Sequence, residues 1–216
     1  MLGASGAVGT ETLNSLLQHN NIQRLTLLGR RTIPEINVDY VQQHTIDIFN
    51  SDSYLNFLQS HTVAICTLGV GQPTKVSKED FVKIDKIAVL DFAKACKNAG
   101  IKHFELLASA GISPKSISLY LRTKGELVEE LKALNFERLS IFQPSMILTP
   151  YNRYGMSGAI FLKVWPLLSP FFICSLQKYR GIPVKVLGQA IAKNVFIEND
   201  GFEILHWNEF YSIISK

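Results

Sequence analysis

Four near-continuous apolar runs constrain this 216-residue chain most. They are RLTLLGR (Arg24 to Arg30), TVAICTLG (Thr62 to Gly69), HFELLASAG (His103 to Gly111) and RLSIFQPS (Arg138 to Ser145). Each ends in small or polar residues, the pattern of a strand buried on both faces of a parallel sheet. Helical stripes lie between them. Val8, Thr12, Leu13, Leu16 and Leu17 form one, and Phe81, Ile84, Ala88, Phe92 and Ala95 form a second, which Gly100 ends. Lys124, Leu127, Val128, Leu131 and Leu134 form a third. Strands alternating with helices predict an α/β fold with a doubly wound, parallel, Rossmann-type sheet. VQQHTIDIF (Val41 to Phe49) is a weaker strand candidate.

The alternation fades after Pro150. The expected organisation is one Rossmann-type domain over residues 1–216. Residues 1–150 would form its cofactor-binding core and residues 151–216 a small substrate-side subdomain. Within the latter, IPVKVLGQAIAKNVF predicts a short strand and then a helix.

A hydrophobic content of 47% fits a packed globule, and a formal charge of +4 without a dense basic block does not call for nucleic acid. Cys66, Cys96 and Cys174 are widely spaced and read as buried thiols of a reducing compartment. The scattered histidines show no metal-ligand spacing, so no metal site is expected. With no basic segment ahead of an apolar run, no secretory signal is expected either, and the cytoplasm is the expected compartment. The apolar stretch Phe161 to Leu176 carries Lys163, Pro166 and Pro170. Two prolines break a spanning helix, so the stretch reads as a buried or pocket-lining segment. Contact with a membrane surface or a partner is the alternative.

Glycines at 3, 6 and 9 stand at the chain start in GASGAVG. Such a turn lets the backbone approach a pyrophosphate, and the following helix aims its free N–H groups at the anion. Gly3, Ser5, Gly6, Ala7, Val8 and Gly9 are the candidate contacts. The next strand ends in LLGRR. An acidic residue near this point suits the ribose hydroxyl of NAD, whereas Arg30 and Arg31 suit a 2′-phosphate. NADP(H) is therefore expected over NAD(H). Asp47 is a candidate for the adenine amino group, a plain strand-end Asp being the equal alternative. Thr67, Leu68 and Gly69 end their strand close to the expected cofactor path.

Ser109 follows the run FELLA, and Tyr120 and Lys124 follow in YLRTK. Tyr and Lys four apart share one helical face. A neighbouring ammonium favours the phenolate, which brings a phenol toward a working pH for acid–base chemistry. The same ammonium can bond ribose hydroxyls, and the serine hydroxyl can orient a substrate carbonyl.

GASGAVG, LLGRR, KHFELLASAG and YLRTKGELVEEL together resemble the short-chain dehydrogenase/reductase superfamily, in its atypical, Tat-interacting-protein-like branch. The likeness runs from Gly3 to about Pro150 and more loosely beyond. It implies NADP(H) binding and a catalytic set of Ser109, Tyr120 and Lys124. The implied activity is hydride transfer between nicotinamide and a carbonyl or alcohol, with a lipophilic substrate suggested by the Phe161 to Leu176 stretch. The branch also implies an alternative, a cofactor-binding regulator or assembly protein with little turnover. A homodimer is a further expectation, since helices of this fold pair between subunits. Two departures stand out. Asp85 occupies a place where relatives carry Asn, and an Asp cannot donate as an amide does. QPS (Gln143 to Ser145) stands where relatives read RPG, with Pro144 retained as a candidate cofactor contact.

Only Met1 and Leu2 precede the glycine turn. In a sheet of order 3-2-1-4-5-6 the first strand is central and normally about five residues long. A truncated first strand is therefore expected, with the chain starting inside it. Each neighbouring backbone group left unpaired would cost about 1–3 kcal/mol.

Overall fold

The computed structural model describes residues 1–149 and 174–215. Five strands form the main sheet with the Met1–Leu2 stub at its centre. They are β1 (Leu25–Gly29), β2 (Val41–Thr45), β3 (Val63–Cys66), β4 (His103–Leu107) and β5 (Arg138–Phe142). A late strand, β8 (Gly201–Leu205), completes it. β1 pairs with β2, while β3, β4, β5 and β8 follow one another, all parallel. Leu2 bridges the two groups by pairing with Leu28 on one side and Cys66 on the other. The resulting order is β2, β1, stub, β3, β4, β5, β8, the doubly wound arrangement expected from the alternation. A short pair, β6 (Ile147–Leu148) and β7 (Ile182–Pro183), lies apart from it.

Helices cover both faces. On one lie α1 (Ala7–Leu16), α5 (Val184–Asn194) and α6 (Trp207–Ser215). Their apolar sides meet Leu25, Leu27, Ile65 and Phe142 of the strands. On the other lie α3 (Val89–Asn98) and α4 (Leu119–Ala133), whose Phe92, Ala93, Leu127 and Leu131 pack on Leu28, Ala64, Phe104 and Ile141. Strands between two helical layers lose both faces to the core, which is why they read as apolar runs. α1 and α5 approach closely at Gly188, where a Cβ would come within 2.5 Å of the Glu11 side chain.

The segment from β7 to α6 thus shares the sheet and helical layers of residues 1–149. The predicted strand and helix after Gly181 are β7 and α5. Most of the Phe161 to Leu176 stretch falls outside the described residues. No described helix is long and apolar enough to cross a membrane.

The stub is shorter than a normal strand yet bonded on both sides. The Met1 ammonium donates to the Thr26 carbonyl at 2.6 Å, and Leu28 N–H donates to the Met1 carbonyl at 2.9 Å. Leu2 N–H donates to the Ile65 carbonyl at 2.8 Å, and Thr67 N–H to the Leu2 carbonyl at 2.9 Å. Below Met1 the neighbours are joined through side chains. Thr26 Oγ1 lies 3.0 Å from His61 Nε2, and Arg24 donates to the Gln59 carbonyl at 2.5 Å. A cleft of about 600 Å³ opens there, lined in part by Met1, Thr26, His61, Ile65 and Phe196.

One helix departs from the sequence pattern. The stripe from Phe81 to Ala95 predicts a single α-helix with Ile84 facing inward. Instead, α2 (Lys78–Val82) and α3 are joined by a π-helical turn, Lys83–Ala88. The wider turn breaks the 3.6-residue period, so Ile84 is only partly buried and Asp85 is the buried residue.

Candidate functional site

The glycine turn is built by close approach. Gly3 has φ of +92°, and a Cβ there would lie 2.7 Å from the backbone of Thr67 and Leu68. A Cβ on Gly9 would lie 2.1 Å from the Gly3 carbonyl oxygen. Neither position admits a side chain. Gly6 N–H donates to the Gly3 carbonyl at 3.0 Å, and Gly6 is the N-cap of α1. The first turn of α1 carries no acidic residue, so nothing opposes an anion at its N–H groups. Ser5 is exposed at the turn, Ala7 is partly buried and Val8 points into the core. This bare backbone cradle fits a pyrophosphate.

β1 ends beside the turn. A small cleft there is lined by Gly3, Ala4, Ser5, Leu28, Gly29 and Arg31, with Gln43 and His44 from β2. Arg30 and Arg31 are both exposed, and of the two only Arg31 lines the cleft. The loop after them is pinned by Gln43, whose side chain accepts from Ile33 N–H at 2.8 Å and donates to the carbonyls of Ile33 and Ile36 at 3.1 Å. Sequence reading missed Gln43 because a polar residue in a weak strand carries no signal of what it holds. Asp47 is exposed, and its Oδ1 accepts from Phe49 N–H at 2.9 Å in a local turn.

β3 delivers the next wall. Thr67 Oγ1 donates to the Gly3 carbonyl at 3.0 Å, joining the loop after β3 to the glycine turn. Leu68 packs on the core, and Gly69 faces Asp85.

Ser109 lies just beyond β4. The backbone on either side of it is tied to the end of β5, since Ala108 N–H donates to the Phe142 carbonyl and Ala110 N–H to the Pro144 carbonyl. Pro144 is buried and Gln143 is 6% exposed, so the QPS sequence keeps a packed turn. Tyr120 and Lys124 stand one turn apart on α4, the Lys124 ammonium 5.8 Å from the Tyr120 ring centre. The Tyr120 ring also packs against Phe81, centres 5.6 Å apart. α4 can seat deeply because Gly125 admits the backbone of Ser113 and Pro114, where a Cβ would come within 2.3 Å.

Lys124 is buried, and its ammonium lies 2.8 Å from Asp85 Oδ1. Burial works to lower its pKa. The charges of Asp85 and then Tyr120 more than offset this, leaving it above the usual lysine value. Asp85 Oδ2 accepts from Val70 N–H at 2.7 Å. Periodicity pointed Ile84 inward, so only the π-turn reveals this pair. Among the described residues, no group of three or more His, Cys, Asp or Glu could hold a metal ion.

These features agree with what the chain is similar to. The family model described as "NAD dependent epimerase/dehydratase family" matches residues 1–132. "Protein HTATIP2" of Rattus norvegicus is 39% identical over 150 residues, covering 68% of this chain and 62% of that protein. "Protein fmp52, mitochondrial" of Emericella nidulans is 34% identical over 153 residues, covering 68% of this chain and 65% of that protein. The alignments thus span a little under two thirds of each relative. Among solved structures, MoeE5 in complex with UDP-glucuronic acid and NAD superposes with a TM-score of 0.70 at 15% identity, covering 94% of this chain and 74% of that one. The Citrobacter sp. triphenylmethane reductase complexed with NADP(H) superposes with a TM-score of 0.65 at 12% identity, covering 95% and 68%. At such identity the structures establish the fold alone. The family match and the curated relatives go further: the chain belongs to the NAD-dependent epimerase/dehydratase family, and its likeness to the Tat-interacting-protein-like branch places it among the atypical short-chain dehydrogenases/reductases.

Proposed function

We propose that the protein is an NADP(H)-dependent oxidoreductase acting between a carbonyl and the corresponding alcohol. The observation that carries this reading is the placement of Tyr120 and a buried, charged Lys124 on one face of α4, with Lys124 joined through Asp85 to the loop that follows β3. The nicotinamide, when bound, supplies or accepts the hydride. The chain's own residues do the rest. The glycine turn and the α1 N-terminus hold the pyrophosphate. Arg31, with Arg30 beside it, favours a 2′-phosphate. Tyr120 gives or takes the substrate proton at its hydroxyl, Lys124 holds a ribose hydroxyl and biases that phenol, and Ser109 orients the carbonyl oxygen. Asp47 and Pro144 complete the proposed cofactor contacts. Residues 151–216 supply the substrate side, and a lipophilic substrate and a homodimer belong to the same proposal.

The test pairs turnover with binding. Wild type oxidises NADPH with members of a panel of aldehydes and ketones. Tyr120→Phe loses that turnover by about 100-fold or more while still binding NADPH. The second reading is the alternative that the resemblance implies, a cofactor-dependent regulator with little turnover. NADPH binding by the wild type without turnover of any panel member would support that reading instead.

A further inference from the structure

Asp85 is the one buried acid on the α3–α4 side of the described sheet, and it touches two elements at once. Its Oδ1 meets the Lys124 ammonium at 2.8 Å, and its Oδ2 accepts from Val70 N–H at 2.7 Å. It is 1% exposed and Lys124 6% exposed. Three local features bring it there. The π-turn Lys83–Ala88 rotates it inward. Gly69 leaves it room, since a Cβ at that glycine would lie 3.0 Å from Oδ1. α4 presents Lys124 on its buried side. The partly buried Lys86 of the same turn also reaches α4, where it pairs with Glu126 and Glu130 at 2.8 and 2.9 Å.

We infer that Asp85 is a positioning residue that keeps Lys124 protonated and aimed, and that ties the Gly69–Val70 loop to the acid–base helix. The inference deepens the function proposed above and rests on it for its catalytic meaning. An ammonium taken out of water sheds its proton unless an anion stays beside it. The groups that face it are Asp85 from the π-turn, Tyr120 from its own helix and the buried Cys66 from β3. Asp85 is the one of these within ion-pair distance. A carboxylate offers two acceptor oxygens, one for each contact, whereas an amide offers one oxygen and a donor that would confront either N–H. The departure from Asn at this position therefore replaces a donor with a two-way acceptor.

The experiment reads Lys124 directly. The full chain is labelled with acetic anhydride across a pH series, and the modification of Lys124 is compared with that of exposed lysines by mass spectrometry. In wild type Lys124 becomes reactive only at a pH above that of exposed lysines. In Asp85→Asn its midpoint falls by more than one pH unit, and Asp85→Glu restores part of the difference. Amide exchange at Val70 quickens in Asp85→Ala. If Asp85 only supports the fold, stability and Val70 exchange change while the Lys124 midpoint stays put, which overturns the inference. Should Asp85→Asn fail to fold, the double variant Asp85→Asn, Lys124→Met removes both charges and recovers the folded state. A double variant as unfolded as the single one also overturns the inference. These readouts need no turnover, so the absence of a carbonyl substrate would end the catalytic reading and leave the inference on Asp85 intact. Where turnover is found, Asp85→Asn lowers kcat by about tenfold or more with KM changed less.

Discussion

The hydroxyl of Thr67 donates to the carbonyl of Gly3 at 3.0 Å and so fastens the loop after β3 to the turn before α1. The contact is possible only because the turn is bare. Gly9 packs so tightly against Gly3 that an added Cβ would sit 2.1 Å from its carbonyl oxygen and 2.9 Å from Thr67 Oγ1. The Gly3 carbonyl would have to move, and with it both the Gly6 N–H bond and the Thr67 bond. Gly9→Ala is therefore expected to destabilise the protein by about 1–3 kcal/mol, the usual cost of overpacking. It should also weaken NADPH binding by at least about tenfold, one decade being 1.4 kcal/mol. Thermal melts and a fluorescence titration with NADPH check both. Thr67→Val, which removes one hydroxyl and keeps the shape, should cost about 1 kcal/mol. Gly9→Ala binding NADPH like wild type would show that the turn does not hold the cofactor.

That turn was legible because glycine spacing encodes it. The sheet was legible for a similar reason: strands such as Leu139 to Phe142, buried on both faces, leave continuous apolar runs. Tyr120 and Lys124 could be paired from spacing alone. Asp85 could not. Its inward turn depends on one wide helical turn, and no residue in KIDKIA marks where a π-turn will form. Nor did the sequence disclose the polar network of His103, Glu105, Arg138, Ser140, Asn194 and Glu203. Its members come from four elements, with hydrogen-bonded partners up to 89 positions apart, and no local pattern joins them.

Arg31, which lines the small cleft beside Gly3 and Ser5, gives the cofactor reading its own test. A guanidinium meets a 2′-phosphate with paired donors, and an aspartate in its place meets it with like charge. Arg31→Asp should weaken NADPH binding by about 100-fold, since a charge-assisted bond contributes roughly 1.5–3 kcal/mol. NADH binding should change little. Arg30→Asp should act in the same direction with a smaller effect, because Arg30 does not line the cleft. Equal losses for both nucleotides, measured by calorimetry, would contradict a preference for NADP(H).

Glu105 sets a pH dependence of stability. It is 1% exposed, its Oε1 accepts from Asn194 Nδ2 at 2.7 Å, and its Oε2 has no partner among the described residues. Burial raises its pKa from 4.5 to about 8, against the pull of the Asn194 bond and Arg138. A raised acid pKa means that the folded state holds the proton more tightly. The stabilisation is fully present below 4.5 and is lost as pH rises through 8. Glu105→Gln cannot titrate, so the stability of wild type relative to this variant should fall across that interval. Denaturant midpoints measured along a pH series give the difference. A constant difference between the two proteins would mean that Glu105 keeps its ordinary carboxylate behaviour.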